Sequence, residues 1–290
     1  MGRVLVTGVG SYVGASIAQG LVLDGYRVIG LVRSPSPFTR ALRGSPGIEF
    51  CEGDLCHPDL RSRLPLDVDA VVNCAAAAPN RPMRALIEDN VVATERLLDL
   101  ALSRSFRAWV QFSSVSVHGE ITGGILGSGT RVVNPSPYGA TKLLADLILS
   151  ESASEIAVRV LRLPAILGGG ATGHWLSRVL RSARAGDDIG IVHPTNLFNN
   201  AIHLADLRRL VSGLLNSDLT GFDAFPVASR EPAPVAELVR AVVDLTNSES
   251  VIEVISNGGS SFTIDDEYAR SRYGYESMTI REAVRQYVVD

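Results

Sequence analysis

The sequence predicts an α/β protein with a doubly wound parallel sheet and a smaller C-terminal lobe. Short apolar runs alternate with helical patterns over residues 1–164, which is typical of βαβ units. Hydrophobic residues make up 46% of the chain, and the mean hydropathy is +0.19. Such a composition is expected where strands are buried on both faces. The 290 residues are enough for a substantial core.

The core elements follow one another in a regular order. Apolar runs predict strands at residues 3–7, 26–32, 48–51, 68–74, 109–112, 158–163 and 225–228. Apolar residues at helical spacing predict helices from residue 13 to about 24, and at 86–102, 138–149, 175–185, 235–245 and 280–288. Residues 122–137 are predicted to form a loop. We expect a core domain over residues 1–164 and a lobe over 165–290, with about 195–215 returning to the core.

A glycine-rich turn joins the first strand to the first helix, with the sequence T-G-V-G-S-Y-V-G from Thr7 to Gly14. Glycines there let a backbone approach a pyrophosphate, and the helix N-terminus supplies amides and the positive end of a dipole. The turn predicts a dinucleotide site. An ordinary tight turn is the alternative. The predicted contacts of the dinucleotide on this turn are Gly8, Gly10, Ser11, Tyr12, Val13 and Gly14.

The end of the second strand indicates which dinucleotide binds. Sites for NAD usually place an acid there to hold the ribose hydroxyls. This chain has Val32 followed by Arg33, and Asp24 comes too early. Because a guanidinium suits a 2′-phosphate, we expect NADP(H) to be favoured over NAD(H). The alternative is that Arg33 is merely solvated.

Tyr138 and Lys142 lie four residues apart at the start of a predicted helix, after Pro137. Residues at this spacing share one helix face, so a phenol and an ammonium can serve one site. A nearby cation favours the phenolate, and we expect it to lower the pKa of Tyr138. The alternative is a surface Tyr and Lys that do no chemistry.

Bulk properties exclude several classes of protein. A net charge of −4 argues against a general nucleic-acid or anionic-membrane surface. The three cysteines and the scattered histidines lack disulfide or metal spacing, so we expect reduced thiols, no metal site and a cytoplasmic protein. We expect no signal peptide, and no apolar run of the sequence is long enough for a membrane span. G-x-S-x-G and P-loop motifs are also missing, which argues against a serine hydrolase or a P-loop nucleotidase.

Taken together, these motifs resemble those of the extended short-chain dehydrogenase/reductase family, of the NAD-dependent epimerase/dehydratase type. The resemblance runs nearly end to end: it includes the glycine loop, Asp54-Leu55, the N-C-A-A run from Asn73, the S-S-V-S-V-H-G run from Ser113, Y-G-A-T-K, and His203 with Asp206. It implies that Ser114, Tyr138 and Lys142 are catalytic. Further cofactor contacts implied are Arg33, Asp54, Leu55, Ala75, Ala76, Asn90, Ser113, Tyr138, Lys142 and Pro164. Substrate contacts implied are Ala77, Ser114, Ser116, His118, Ala165, His174 and Asn199.

The resemblance implies an NADP(H)-dependent oxidoreductase acting on a sugar carbonyl or alcohol, with a nucleotide-linked keto-sugar reductase as the best guess. Two departures bear on this substrate: Asn199-Asn200 replaces the Arg-Asp of many nucleotide-sugar members, and Val115-Ser116 replaces the Asp-Glu of dehydratases. The alternatives are an epimerase of the same family and a non-catalytic NADP-sensing regulator. The resemblance also implies a homodimer, formed through the helices at residues 86–102 and 138–149.

Overall fold

A computed structural model describes residues 2–57, 59–121, 124–217, 220–255 and 261–290. In chain order its strands are Arg3–Thr7 (β1), Arg27–Val32 (β2), Ile48–Glu52 (β3), Ala70–Asn73 (β4), Ala108–Ser114 (β5), Ile125–Leu126 (β6), Ala157–Leu163 (β7), Ala165–Leu167 (β8), Ile189–Ile191 (β9), Leu197–Phe198 (β10), Ala201–His203 (β11), Phe222–Pro226 (β12), Ala233–Pro234 (β13), Ile252–Val254 (β14) and Thr263–Ile264 (β15). Its helices are Tyr12–Leu23 (α1), Pro37–Leu42 (α2), Leu60–Arg63 (α3), Met83–Ile87 (α4), Ala93–Ser103 (α5), Pro137–Glu151 (α6), Trp175–Ala185 (α7), Leu204–Leu215 (α8), Val235–Leu245 (α9), Glu267–Tyr273 (α10) and Ile280–Val289 (α11).

Seven of the described strands form one sheet, in the order β12-β7-β5-β4-β1-β2-β3. Strand β1 pairs in parallel with both β2 and β4, with Thr7 opposite Leu31 and Asn73. The chain moves outward from β1 to β3 and then returns to β4 on the other side, so the topological switch point lies between β1 and β4. The predicted doubly wound, Rossmann-like fold class is confirmed.

The sheet is buried because its strands are apolar on both faces. Leu5, Ile29, Val71, Trp109 and Val158 belong to one hydrophobic cluster, and each is at most 1% exposed. Burial of this kind contributes about 1.5–3 kcal/mol for each large side chain.

A small network of side-chain hydrogen bonds lies between β4 and β5, centred on Gln111 Oε1. The indole N–H of Trp109 donates to Gln111 Oε1 at 3.0 Å, and Asn73 Nδ2 donates to the same oxygen at 2.9 Å. A buried amide that keeps a hydrogen bond adds little to the free-energy cost of folding.

The predicted helix at 86–102 is interrupted. A π-helical turn at Glu88–Val92 separates α4 from α5. A turn of this kind inserts one residue and changes which side chains face inward. Smaller differences also occur: the last strand of the sheet, β12, begins three residues before the predicted 225, and part of the predicted loop, residues 122–123, lies outside the described residues.

The chain divides into two compact units. The first comprises Met1–Glu120, Arg131–Arg162 and Leu207–Phe225, and the second comprises Ile121–Thr130, Leu163–Asp206 and Pro226–Asp290. The central sheet belongs to the first unit. In the second, β8 pairs with β11 and β9 pairs with β14, in both cases in parallel. Within the ranges described, no helix combines the length and the apolar character needed to cross a membrane.

Candidate active site

The glycine loop turns tightly between β1 and α1. Gly8 has a φ of +66°, and a Cβ there would lie 2.8 Å from the backbone nitrogen of Ala75. Only glycine allows this approach of the loop to the end of β4. Ser11 caps α1, because its hydroxyl accepts from the N–H of Gly14 at 3.1 Å and donates to the carbonyl of Gly8 at 2.8 Å. The serine at the usual glycine position therefore fixes the loop.

A cleft of about 320 Å³ opens beside this loop, within the first unit. Eight of the predicted cofactor residues line it: Gly8, Gly10, Ser11, Arg33, Asp54, Leu55, Ala75 and Ala76. The cleft is also lined by residues that the sequence did not single out, including Ser34, Ser36, Cys74 and Asp89.

Other predicted cofactor residues lie outside the lining of that cleft. Tyr12, Val13 and Gly14 form the first turn of α1. Pro164 lies between β7 and β8, in the second unit.

Asn90 joins two parts of the first unit. It is 1% exposed, its Oδ1 accepts from the N–H of Ala77 at 2.9 Å, and its Nδ2 donates to Thr141 Oγ1 at 3.0 Å. Thr141 Oγ1 in turn donates to the carbonyl of Tyr138 at 2.9 Å. The π-helical turn thus connects the segment after β4 to the start of α6, and Asn90 positions α6 by this bond.

Helix α6 places Tyr138 beside Ser114. Ser136 caps the helix by accepting from the N–H of Gly139 at 3.2 Å, and Pro137 opens its first turn. A Cβ on Gly139 would lie 2.1 Å from the carbonyl oxygen of Ser116, so glycine allows the helix to touch the end of β5. Ser114 ends β5, and its hydroxyl is hydrogen-bonded to the Tyr138 hydroxyl.

Lys142 lies one turn further along α6. Its side chain is 1% exposed, and Nζ makes no hydrogen bond within the described residues. Burial lowers its pKa to about 8, while Asp146 and Cys74 act in the opposite direction. Lys142 is the only lysine of the chain, beside 26 arginines. An arginine cannot give up its charge near neutral pH, whereas a buried lysine can.

Asp146 lies on α6 one turn beyond Lys142 and is also buried. It is 2% exposed, and its Oδ2 accepts from Ser113 Oγ at 3.0 Å and lies 3.7 Å from Arg162 Nε. Burial raises the pKa of this carboxyl to about 6, and the positive charges of Lys142 and Arg162 partly offset that rise. Ser113 thus holds Asp146, and its contact with the cofactor stays a prediction.

The expected lowering of the Tyr138 pKa by Lys142 is wrong for this structure. Burial raises the pKa of the phenol, and the hydrogen bond from Ser114 partly offsets the rise. Lys142 is not among the groups that act on the phenol, and the charges that act on Lys142 itself are those of Asp146 and Cys74.

Two predicted substrate residues are buried and serve other contacts. His118 is 0% exposed, and its Nε2 lies 3.2 Å from Arg162 Nη1. Asn199 is 3% exposed: its Nδ2 donates to the carbonyls of Ser229 and Ile264 at 3.0 and 2.8 Å, and its Oδ1 accepts from the N–H of Ile264 at 2.8 Å. The amide of Asn199 is committed to these backbone groups, so its predicted contact with a substrate is corrected. The substrate contact of His118 stays a prediction.

The remaining predicted substrate residues are divided between the two units. Ser116 donates its N–H to Ser114 Oγ at 3.1 Å, and Ala77 is held by Asn90. His174 caps α7 by accepting from the N–H of Ser177 at 3.1 Å, and burial lowers its pKa to about 4. Ala165 pairs with Ala201 in the second unit.

The second unit contains a cavity of its own, of about 510 Å³. Its walls are mainly apolar, with Trp175, Val179, Ile191 and Phe198 among them, and Arg178 adds a charge. Among the described residues, no group of three or more His, Cys, Asp or Glu side chains is arranged to hold a metal ion.

The residues of the first unit fit a dinucleotide. The close approach at Gly8 leaves room for a backbone-bound pyrophosphate, and the N–H groups at the start of α1 face the glycine loop. The ammonium of Lys142, buried without a hydrogen bond among the described residues, needs a polar partner such as a ribose hydroxyl.

The family model for the NAD dependent epimerase/dehydratase family matches residues 4–221. The chain belongs to the NAD dependent epimerase/dehydratase family. It is therefore an enzyme and an oxidoreductase of this family, as the resemblance implied.

Similar proteins differ in their substrates. A 2-alkyl-3-oxoalkanoate reductase of Stenotrophomonas maltophilia (strain K279a) is 26% identical over 268 residues, which cover 88% of this chain and 78% of that protein. Human L-xylulose reductase (Homo sapiens) is 30% identical over 57% of this chain and 69% of its own length. The structure of MoeE5 in complex with UDP-glucuronic acid and NAD is 25% identical, with a TM-score of 0.85 over 99% of this chain and 98% of that one.

Proposed function

We propose that this family member is an NADP(H)-dependent reductase of a sugar carbonyl, acting on a nucleotide-linked keto-sugar. The observation on which the proposal rests is the hydrogen bond of Ser114 to Tyr138, which lies on the helix that also carries the buried ammonium of Lys142 one turn further along. A phenol held by a serine at the end of a central strand is suited to giving a proton to a substrate oxygen.

Each residue then has one role. Ser114 orients the substrate oxygen by a hydrogen bond. Tyr138 gives its proton to that oxygen, and its raised pKa keeps the phenol protonated until then. Lys142 would hold a ribose hydroxyl of the bound dinucleotide. The bound dinucleotide supplies the hydride, while these residues supply orientation and the proton.

Arg33 supports the choice of NADP(H). It lies in the cleft wall directly after β2, and the chain has Val32 at the position of the usual acid. NADP(H) favours net reduction over epimerisation, because an epimerase must keep its cofactor and recycle it. The first alternative remains an epimerase, and the second a non-catalytic NADP-sensing regulator. A sensor has no need of the Ser114–Tyr138 contact.

A carbonyl substrate without a nucleotide is a further candidate. The amide of Asn199 is fully used inside the second unit, and that unit has a mainly apolar cavity. The similarity to a 2-alkyl-3-oxoalkanoate reductase supports this candidate as well.

A substrate screen tests the function. Nucleotide-linked keto-sugars, free keto-sugars and 3-oxo acids should be offered with NADPH labelled with deuterium at the transferred position. Net reduction leaves deuterium in the product and oxidised cofactor in equal amount. The corresponding nucleotide-linked alcohols should also be offered with NAD⁺ or NADP⁺, and a product isomer formed with no net change in the dinucleotide would identify an epimerase instead. Dinucleotide binding without turnover of any member of the panel would favour the regulator.

We also propose a cytoplasmic homodimer. Leu144 and Leu147 on α6 are 46% and 54% exposed, and Met83 and Ile87 on α4 are exposed as well. Such an apolar surface suits a second copy of the chain.

A further inference from the structure

The Arg33–Asp89 ion pair is part of the wall of the cofactor cleft. Arg33 Nη1 donates to Asp89 Oδ1 at 3.1 Å, and the two residues are 56 positions apart in the chain. Arg33 is 62% exposed and Asp89 is 23% exposed, so both can be reached from the cleft.

The π-helical turn places Asp89 in this position. Glu88–Val92 forms the turn, and two neighbouring side chains in it make contacts with different parts of the first unit. Asn90 is buried on Ala77 and Thr141, whereas the neighbouring Asp89 reaches the cleft and Arg33. An interruption of this kind is common at functional sites.

The charges of the cleft lining do not suit a second phosphate. Among the described residues that line it, Arg33 is the one cation, and Asp54 and Asp89 are carboxylates. A 2′-phosphate carries close to two negative charges near neutral pH. It would approach a guanidinium whose charge Asp89 already neutralises.

We propose that Asp89 determines dinucleotide specificity by competing with the 2′-phosphate of NADP(H) for Arg33. The inference rests on the proposed function in one respect only, namely that Arg33 binds the 2′-phosphate. Asp89 lowers the affinity for NADP(H) and leaves the affinity for NAD(H) almost unchanged, because NAD(H) carries no phosphate there. The preference for NADP(H) is consequently smaller in the parent protein than Arg33 alone would give, and one substitution can enlarge it.

The test is a pair of binding titrations. Asp89→Asn keeps the size of the side chain and removes its charge. NADPH should bind about 3- to 10-fold more tightly to this variant, the scale of an exposed ion pair plus one removed repulsion. NADH affinity should stay within about 2-fold of the parent value. In an Arg33→Ala background the gain from Asp89→Asn should shrink, because the competition no longer exists.

Asp99→Asn is the matched control. It removes one carboxylate from an exposed position on α5 outside the cleft lining, and it should change neither affinity by more than about 2-fold. If the ratio of NADPH affinity to NADH affinity is unchanged in Asp89→Asn, the inference is overturned. Weaker NADPH binding would also overturn it, because Asp89 would then hold Arg33 in place for the phosphate. A parent protein that prefers NADH refutes the proposed cofactor choice alone, since the ratio should still rise in Asp89→Asn.

Discussion

Two sets of charged residues in the first unit, Arg33 with Asp89 and Lys142 with Asp146, differ in their contact with water. Arg33 is 62% exposed and Asp89 is 23% exposed. Lys142 and Asp146 are 1% and 2% exposed, and their pKa values move to about 8 and about 6. Burial therefore makes the second pair sensitive to protonation near neutral pH, whereas water screens the first. Substitutions in the buried pair should affect turnover, and substitutions in the exposed pair should affect selectivity.

The largest effect is expected for Lys142→Met. The change removes a buried ammonium and leaves Asp146 with Arg162 alone at 3.7 Å. Turnover should fall by about 10⁴-fold, the upper end for one acid–base group, and dinucleotide affinity by about 10- to 100-fold. Steady-state kinetics and a binding titration measure the two effects. Normal dinucleotide affinity would contradict the proposal that Lys142 holds a ribose hydroxyl of the dinucleotide.

Asp146→Asn should shift the titration of Lys142. Because the negative charge of Asp146 raises the lysine pKa, its loss should lower that pKa by about 1–3 units from the value of about 8. Lysine labelled with ¹³C gives one side-chain signal in this protein, since Lys142 is the only lysine. NMR titration of that signal measures the pKa in both proteins. A parent signal that titrates at the ordinary value of 10.5 would show that Lys142 is not buried as described.

The same substitution should change how stability depends on pH. Asp146 has a folded pKa of about 6 against an ordinary value of 3.8, so between these values the folded state holds a proton that the unfolded state releases. The group therefore stabilises the fold below about pH 4, and this contribution is lost as pH rises through about 6. Denaturant titrations from pH 4 to 7 should show this decline in the parent and a flatter profile in Asp146→Asn. Equal slopes would contradict the buried carboxyl.

A smaller effect is expected for Arg33→Ala. It should narrow the difference between NADPH and NADH binding by on the order of 1–3 kcal/mol, because one charge-assisted contact is lost. Calorimetric titration with both dinucleotides measures the difference. Equal or better NADH affinity in the parent would contradict the choice of NADP(H).

The smallest effect on activity is expected at the α6 surface. Leu147→Glu should convert a homodimer into a monomer of about 30.9 kDa while leaving dinucleotide binding intact. Leu23→Glu, at a position 77% exposed on α1, is the matched control and should leave the dimer intact. Light scattering distinguishes the two masses. A parent protein that is already monomeric at micromolar concentration would refute the dimer.

Sequence reasoning succeeded where the relevant residues are close together in the chain. The glycine loop and the Tyr138–Lys142 spacing depend on one turn and one helix, whose geometry is local. Asp146 lies at the same spacing beyond Lys142, yet its burial depends on Ser113 and Arg162, which come from other elements. The sequence supplied that spacing but not the burial.

Sequence reasoning failed where distant contacts decide the outcome. Asn199 was placed at the substrate by resemblance, but its amide bonds to backbone groups 30 and 65 residues away. Asp89 was missed because a regular helix from 86 to 102 gives no sign of the π-helical turn that brings it to Arg33. The long-range contacts of a side chain are not encoded in its local pattern.

Tyr138→Phe tests most directly the claim that the Tyr138 hydroxyl gives the proton to the substrate. The variant keeps the ring and removes only the hydroxyl that bonds to Ser114. With the substrate found in the screen, turnover should fall by about 10²–10⁴-fold, while NADPH binds as tightly as in the parent. A Tyr138→Phe protein that reduces its substrate within a few-fold of the parent rate would contradict the mechanism.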